Sequence, residues 1–117
     1  MLRTRPGTLR QREIVLLAFP FSDQRERKRR PALVVSNDAY NQKADDCVVA
    51  AITSVLKDEP FSVTITNDDL EEGSLLKESR IRVDKLFTIE QTMIEGSVGL
   101  VNKEVFTNVK ERLFTVF

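Results

Sequence analysis

Residues 28–36, around which the rest of the chain is organised, read Lys-Arg-Arg-Pro-Ala-Leu-Val-Val-Ser. A cluster of positive charge leads through Pro31 into an apolar run of strand length. Proline is tolerated at the first position of a strand, where no amide donor is required. Arg30 is therefore expected at the root of a strand, held in one geometry. Catalysis on a phosphate requires fixed geometry, so Arg30 is the leading functional candidate.

Length and composition indicate a single domain. The 117 residues suffice for one core, and 41% hydrophobic with 31% charged residues are typical of globular proteins. No apolar run approaches the ~20 residues that cross a bilayer, and the N-terminus lacks a signal-peptide pattern. Cys47 is the only cysteine and cannot form an internal disulfide. We expect a cytoplasmic protein that does not contact a membrane.

The charges are unevenly distributed, although 18 basic and 18 acidic residues sum to zero. Residues 1–30 hold nine Lys or Arg against three acidic residues, whereas residues 31–117 hold nine against fifteen. A polyanion would therefore be attracted to one end of the chain. Residues 1–12 show no apolar periodicity and are predicted to form a flexible arm, on which Arg10 is a solvated charge.

Short strands and turns dominate residues 13–117, which are predicted to form one domain. Strict alternation at 61–66 and again at 79–89 predicts strands with one buried face, and the acidic segment 67–73 is predicted to be a turn. These features indicate a mainly β, SH3-like small barrel with a C-terminal helix. The other predicted strands are 13–19, 32–36, 46–54 and 93–101, with a turn or one helical turn at 37–41.

The terminal helix is predicted from its cap and its apolar stripe. Asn102 is suited to cap a helix N-terminus. The apolar residues that follow recur at helical spacing and are interpreted as packing surface. They are Val105, Phe106, Val109 and Leu113.

The absence of histidine narrows the chemistry. Ser-His-Asp triads, Cys-His pairs and histidine acid–base catalysis are excluded, and one cysteine without histidine argues against a zinc site. No Gly-rich nucleotide-binding motif occurs, and the acidic pairs are attributed to solvated turns. We therefore predict no metal site and no cofactor.

Guanidinium chemistry remains available. Arginine presents a rigid fork of donors that matches phosphate oxygens and stabilises the charge of a phosphorane. Its pKa, above ~12, makes it a poor general acid. A hydroxyl at the end of the third predicted strand, on Thr53 or Ser54, would donate to the same phosphate. RNA suits such a site because its 2′-hydroxyl supplies the nucleophile.

Four segments together resemble the MazF/PemK toxins, the growth-inhibiting halves of type II toxin–antitoxin systems. They occur in the family's order over residues 12–117, and Arg-Pro-x-Leu-Val-Val followed about twenty residues later by Ile-Thr is the most specific pair. They read Glu-Ile-Val-Leu-Leu-Ala-Phe-Pro-Phe-Ser-Asp at 13–23, Lys-Arg-Arg-Pro-Ala-Leu-Val-Val-Ser-Asn at 28–37, Val-Ala-Ala-Ile-Thr-Ser at 49–54 and Ser-Arg-Ile-Arg-Val-Asp-Lys-Leu-Phe-Thr-Ile at 79–89.

The resemblance implies an SH3-like barrel, a homodimer and a metal-independent endoribonuclease that cuts single-stranded mRNA to 2′,3′-cyclic phosphate and 5′-hydroxyl ends. It also implies a cognate antitoxin whose acidic, disordered tail folds onto the basic groove. The family's catalytic arginine precedes the proline and corresponds to Arg30; its threonine corresponds to Thr53. Arg30 would transfer protons or stabilise the phosphorane, and the pKa of arginine favours stabilisation. Thr53 would hold the scissile phosphate.

Five further residues are assigned to RNA binding. Phe21 and Ser22 open the loop where family members grip RNA, and Phe21 is interpreted as a base-stacking residue or as a half-buried strand end. Arg29 is interpreted as a phosphate contact or as a solvated charge. Ser54 shares the end of the third strand, and Ser79 matches a family position near the substrate groove.

Arg12 departs from the family pattern, which leads into the first strand with Arg-Gly-Glu or Arg-Gly-Asp. If the backbone there requires a positive φ, Arg12 imposes strain or shifts the start of the strand. Two other functions stay open: a non-cleaving barrel toxin of the CcdB gyrase-poison type, because fold does not decide function, and a degenerate toxin that binds RNA or antitoxin without cleaving.

Overall fold

A computed structural model describes residues 9–18, 29–57 and 59–117. They form a curled, antiparallel half-barrel of seven strands with a C-terminal helix, which confirms the predicted mainly β fold. The elements are β1 (Glu13–Ala18), β2 (Arg29–Val34), α1 (Asp38–Lys43), β3 (Asp46–Thr53), β4 (Ser62–Ile65), β5 (Leu70–Gly73), β6 (Ser79–Glu90), β7 (Ile94–Val101) and α2 (Lys103–Phe114). The strand order is β4-β6-β3-β2-β1-β7-β5.

The central strands separate two apolar clusters. Neighbouring residues of one strand alternate between them: Ile14 and Leu33 belong to the first core, whereas Val15 and Ala32 belong to the second. This alternation follows from the period-two geometry of a strand. Strands β1, β2 and β3 are therefore buried on both faces, which explains why they are nearly continuous apolar runs.

Helix α2 closes the first core as the sequence predicts. The side chain of Asn102 accepts a hydrogen bond from the amide of Val105 at 2.8 Å, so it caps the helix. Val105, Phe106 and Val109 are buried against strands of the first core, and Leu113 packs beside them half-buried.

Two boundaries differ from the predicted ones. Strand β2 begins at Arg29, before Pro31, because pairing with β1 starts at Arg29 while the ladder with β3 starts only at Ala32. Proline is tolerated where the strand is paired on one side. The acidic segment 67–73 is not only a turn: it contains β5, which pairs with β7 at the edge of the sheet.

Residues 9–12, assigned from the sequence to a flexible arm, lie against the sheet instead. Leu9 is 1% exposed and belongs to the second core. The Arg10 guanidinium donates to both carboxylate oxygens of Glu72, at 2.9 and 3.1 Å. Arg10 is therefore an anchored residue, not a solvated charge on an arm, because a distant carboxylate of β5 neutralises it. Residues 1–8 lie outside the described part of the chain.

Arg12 occupies a backbone conformation that favours glycine. Its φ is +79°, and β1 nevertheless begins at Glu13. The Arg12 amide donates to the carbonyl of Val34 at 2.9 Å, and Nη1 donates to the carbonyl of Val101 at 2.7 Å and to Glu71 at 3.1 Å. The side chain thus binds β5 and β7 while the backbone carries the strain of a left-handed conformation.

Within the described ranges, none of the helices has the length and apolarity needed to traverse a lipid bilayer.

Candidate functional site

The two candidate catalytic residues lie on one face of adjacent strands. Arg30 pairs with Leu17 of β1, and Ala32 pairs with Ala51 of β3. Residues directly opposite in an antiparallel ladder share a face. The paired ladder ends at Ala32 and Ala51, and Arg30 and Thr53 each lie two residues beyond this last pair, on the same face as Ala32 and Ala51. Both side chains therefore face the same side of the sheet as the second core, at the end where β3 finishes.

Arg30 is exposed, and its guanidinium has no partner among the described residues. Among residues 9–18, 29–57 and 59–117, no side chain or backbone group forms a hydrogen bond or ion pair with it. Its full set of donors thus faces outward from a fixed strand position, available to a ligand with several oxygens.

The hydroxyl of Thr53 is oriented by the chain that follows it. Thr53 Oγ1 accepts a hydrogen bond from the amide of Val55 at 3.1 Å. Because this bond uses a lone pair of the oxygen, the hydroxyl hydrogen stays available for donation. Thr53 is partly buried, so it can hold an anion at the surface while its side chain stays in one rotamer.

Arg80 lies beside Thr53 on the next strand of the sheet. The sequence patterns alone assign it no role. It pairs directly with Thr53 across β3 and β6 and with Thr64 across β4 and β6. Only 4% of Arg80 is exposed. Its Nε donates to the carbonyl of Val55 at 3.1 Å, and its Nη1 is buried with no hydrogen-bond partner among the described residues. We call Arg30, Thr53 and Arg80 the cross-strand row.

A sequence signal for Arg80 exists. Residues 80–83 alternate Arg-Ile-Arg-Val, which puts two arginines on one face of β6 and two apolar residues on the other. Ile81 and Val83 are buried in the first core. Alternation alone does not reveal that Thr53 is the partner of Arg80, because the register between strands far apart in sequence is a tertiary property.

Arg82 lies on the same face and is neutralised. Its Nε and Nη2 donate to the two carboxylate oxygens of Asp84, at 3.2 and 2.7 Å. These hydrogen bonds lower the pKa of Asp84 below its usual value and raise that of Arg82, against the opposing effect of partial burial. Arg82 therefore has fewer donors left for an external anion than Arg80 or Arg30.

Three of the predicted RNA-binding residues line a cleft on the opposite face of the strands. This cleft has a volume of about 440 Å³. Arg29 forms an ion pair with Glu95 at 2.8 Å, Ser54 is exposed, and Ser79 is buried and donates to the carbonyl of Lys77 at 3.0 Å. The remaining lining is largely apolar and includes Leu16, Pro31, Leu75, Leu76 and Val98.

The structure thus groups the predicted site residues into two sets. Arg30 and Thr53 belong to the cross-strand row, whereas Arg29, Ser54 and Ser79 belong to the cleft, because consecutive strand residues point to opposite faces. The two sets meet at the end of the sheet. Phe21 and Ser22 lie outside the described residues. Within the described ranges, no three His, Cys, Asp or Glu side chains cluster as metal ligands would.

Comparison with known proteins matches the chain to one family. The sequence model of the PemK-like, MazF-like toxins of type II toxin–antitoxin systems matches residues 10–117. No curated protein matches the sequence.

Solved structures share the fold at low sequence identity. MazF from Deinococcus radiodurans is 23% identical with a TM-score of 0.75, over 94% of this chain and 96% of that one. Mycobacterium tuberculosis toxin MazF-mt6 is 19% identical with a TM-score of 0.74, over 91% and 96%. An endoribonuclease in complex with its cognate antitoxin, from a mycobacterial species, is 19% identical with a TM-score of 0.75, over 93% of each chain.

Proposed function

The chain belongs to the PemK-like, MazF-like toxins of type II toxin–antitoxin systems, and from this premise we propose that it is an endoribonuclease. Its substrate is single-stranded mRNA in the cytoplasm, which it cleaves at short sequences without a metal ion. The observation that supports this proposal is the register of β2 and β3, in which Arg30 and Thr53 both lie two residues beyond the pair Ala32–Ala51 and on the same face of the sheet.

The proposed reaction is a transesterification within the RNA. The 2′-oxygen attacks the adjacent phosphorus, the P–O2′ bond forms and the P–O5′ bond breaks. One proton leaves the 2′-hydroxyl and one is gained by the leaving 5′-oxygen, so the products are a 2′,3′-cyclic phosphate and a 5′-hydroxyl. No atom of the protein becomes covalently bound.

Arg30 and Thr53 have different roles in this reaction. The guanidinium of Arg30 stays protonated at neutral pH and stabilises the negative charge that develops on the phosphorane oxygens. Thr53 Oγ1, oriented by the Val55 amide, donates its hydrogen to a non-bridging phosphate oxygen. Solvent water carries the two protons.

The cleft would hold the nucleotides that flank the scissile bond. Its apolar lining would pack against the faces of bases. Arg29 would exchange Glu95 for a phosphate at a small cost in free energy, since exposed ion pairs are worth about 0–1 kcal/mol. Ser54 and Ser79 line the cleft and would contact a ribose or a base edge of the bound RNA. An RNA strand that passes the end of the sheet would contact both the cleft and the cross-strand row.

We further propose that the protein acts as a homodimer and that a cognate antitoxin inhibits it. An acidic, disordered tail of the antitoxin would order itself on the same unneutralised cations that bind RNA. The antitoxin complex of the mycobacterial neighbour supports this proposal.

The test is cleavage of RNA by the purified protein, freed of antitoxin, in EDTA. We expect fragments whose 3′ ends carry a cyclic phosphate and whose 5′ ends accept phosphate from a kinase without prior dephosphorylation. The same sequences made as DNA are the matched control and should stay intact, because they lack the 2′-nucleophile. RNA that survives incubation with the wild-type protein at modest salt would overturn the enzymatic proposal and favour a non-cleaving toxin.

A further inference from the structure

Arg80 is a buried cation without a counterion in the described part of the chain. The ion pairs among the described residues engage Arg10, Arg12, Arg29 and Arg82. Arg80 instead makes a single side-chain hydrogen bond, from Nε to the Val55 carbonyl. Buried charges in proteins are normally paired, because desolvation without a partner is costly. The burial of the Arg80 guanidinium therefore costs desolvation free energy that one neutral hydrogen bond does not offset.

The position of Arg80 is as informative as its burial. It is the direct cross-strand neighbour of Thr53, and side chains in such pairs have Cβ atoms about 5 Å apart. Arg30 lies on β2, on the other side of β3, two residues beyond the last β2–β3 pair. Arg30 and Arg80 thus lie on the strands to either side of Thr53, and two arginines with one hydroxyl are a suitable set of donors for the non-bridging oxygens of one phosphate.

Arg80 is also linked to Thr53 through one residue. Val55 donates its amide to Thr53 Oγ1 and accepts Nε of Arg80 at its carbonyl. Residues 54–57 belong to no helix or strand, and Val55 is 57% exposed. A ligand can reach the buried Nη1 of Arg80 only if the side chain or its surroundings shift, and the segment that binds Nε lies outside the regular elements.

We propose that Arg80 is a second phosphate-binding arginine of the site and that it binds the same RNA phosphate as Thr53. This inference rests on the proposed RNA-cleaving function. It adds Arg80 to the site, a residue that the proposed reaction does not use. Bound phosphate supplies a counterion that the described residues do not provide to Arg80. A phosphate is favoured over a carboxylate of the antitoxin because Arg30, Thr53 and Arg80 offer donors from three adjacent strands on one face, and a phosphate has more acceptor oxygens to use them.

Binding measurements with an RNA that cannot be cleaved test this proposal. The ligand is a random-sequence pool of single-stranded RNA methylated at every 2′-oxygen, so the nucleophile is blocked whatever sequence the protein recognises. Kd is measured between about 50 and 200 mM salt for the wild type, Arg80→Met and Arg80→Lys. Arg112→Met is the matched control, since Arg112 also donates to a backbone carbonyl, that of Pro60, but is exposed.

We expect Arg80→Met to weaken binding about tenfold and to reduce the slope of log K against log salt by about 0.7, the value for one phosphate contact on a single strand. Arg80→Lys should restore the slope and part of the affinity. The melting temperature of Arg80→Met should equal or exceed that of the wild type, because an apolar side chain replaces an unneutralised buried charge. Arg112→Met should leave binding and slope unchanged.

Each alternative has its own signature. An unchanged salt slope in Arg80→Met with a lowered melting temperature would overturn the proposal, since it would mean that Arg80 only holds the Val55 segment. Loss of affinity for an acidic antitoxin peptide with unchanged RNA binding would overturn it as well. If the wild type binds the methylated pool through Arg80 but leaves ordinary RNA intact, the proposed nuclease fails while the phosphate site stands.

Discussion

The arginines at the two ends of the sheet differ in their partners. At the end where the chain enters β1, Arg10 pairs with Glu72 and Arg12 with Glu71, at 2.9 and 3.1 Å. At the other end, Arg30 and Arg80 flank Thr53 and form no ion pair with any described residue. Arginine thus has a structural use at the first end, whereas at the second end Arg29 pairs with Glu95 while Arg30 and Arg80 are available for a ligand.

This difference teaches that local charge density does not locate the site. Arg10 and Arg12 belong to the strongly basic first 30 residues, yet carboxylates of β5, about sixty residues away in sequence, neutralise them. Arg80 lies in the acidic part of the chain, and no carboxylate of residues 9–18, 29–57 or 59–117 pairs with it. The positive potential that a polyanion meets depends on which cations remain unpaired after folding.

The largest expected effect is the contrast between Arg30 and Arg10 in catalysis. Arg30→Met and Thr53→Ala should each reduce kcat for RNA cleavage by about 10²–10³-fold, the usual cost of removing one transition-state donor. Arg10→Met, the matched control, should change kcat by less than twofold, that is by less than ~0.5 kcal/mol, because its cation is already neutralised. Single-turnover cleavage assays measure the rates of the three variants, and circular dichroism checks that each is folded. Equal losses of rate in Arg30→Met and Arg10→Met would contradict the distinction between the two ends of the sheet.

A smaller effect is expected at Arg12, within the neutralised end. Its φ of +79° costs any side chain with a Cβ about 1 kcal/mol or more. Arg12→Gly relieves this strain but loses the bonds to Val101 and Glu71, whereas Arg12→Ala keeps the strain and loses the bonds. The free energy of unfolding of Arg12→Gly should therefore exceed that of Arg12→Ala by about 0.5–1 kcal/mol. This is the reverse of the usual order of glycine and alanine within strands and helices.

Urea denaturation of the two Arg12 variants, compared by their midpoints at a common m value, measures this difference. The two variants differ only in the side chain at residue 12, so their comparison isolates the strained position. A more stable alanine variant would show that residue 12 does not keep a positive φ in solution.

The smallest expected effect concerns Arg82, the neutralised neighbour of Arg80. Hydrogen bonds from Arg82 lower the pKa of Asp84 in the folded state, so they contribute stability that is present above the unfolded value of 3.8 and lost as pH falls through the lower folded value. Asp84→Asn should be less stable than the wild type at neutral pH by under ~1 kcal/mol, because the pair is partly exposed. Melting temperatures of the two proteins should converge below about pH 4; a constant difference would indicate that the ion pair contributes nothing.

Much of the fold could be predicted from the sequence because its local signals agree with the tertiary structure. The alternation at 61–66 and 79–89, the cap at Asn102 and the apolar stripe of α2 all correspond to observed elements. Strand β5 was missed because four residues with two carboxylates have no strand signal of their own. Its place in the sheet depends on β7 and on the arginines that bind Glu71 and Glu72.

The candidate site could be predicted only in part. Residue type and strand position singled out Arg30 but left Thr53 and Ser54 as alternatives, and the resemblance to the MazF/PemK toxins selected Thr53. Their roles in RNA cleavage stay predictions. That Arg29 lies on the opposite face from Arg30 follows from the alternation of a strand, but the cleft that Arg29 shares with Ser54 and Ser79 requires the curled sheet. Arg80 was missed because nothing near it in sequence shows that Thr53 lies beside it.

Six of the seven strands of the described sheet, the capped helix and the arginine before Pro31 follow from the sequence, since propensity, periodicity and capping act over a few neighbouring residues. The sequence also singled out Arg12 as a residue in a glycine position. Only the tertiary structure decided which arginines are neutralised and which flank Thr53. Those pairings join residues far apart in the chain, and strand register, which local sequence does not encode, brings them together.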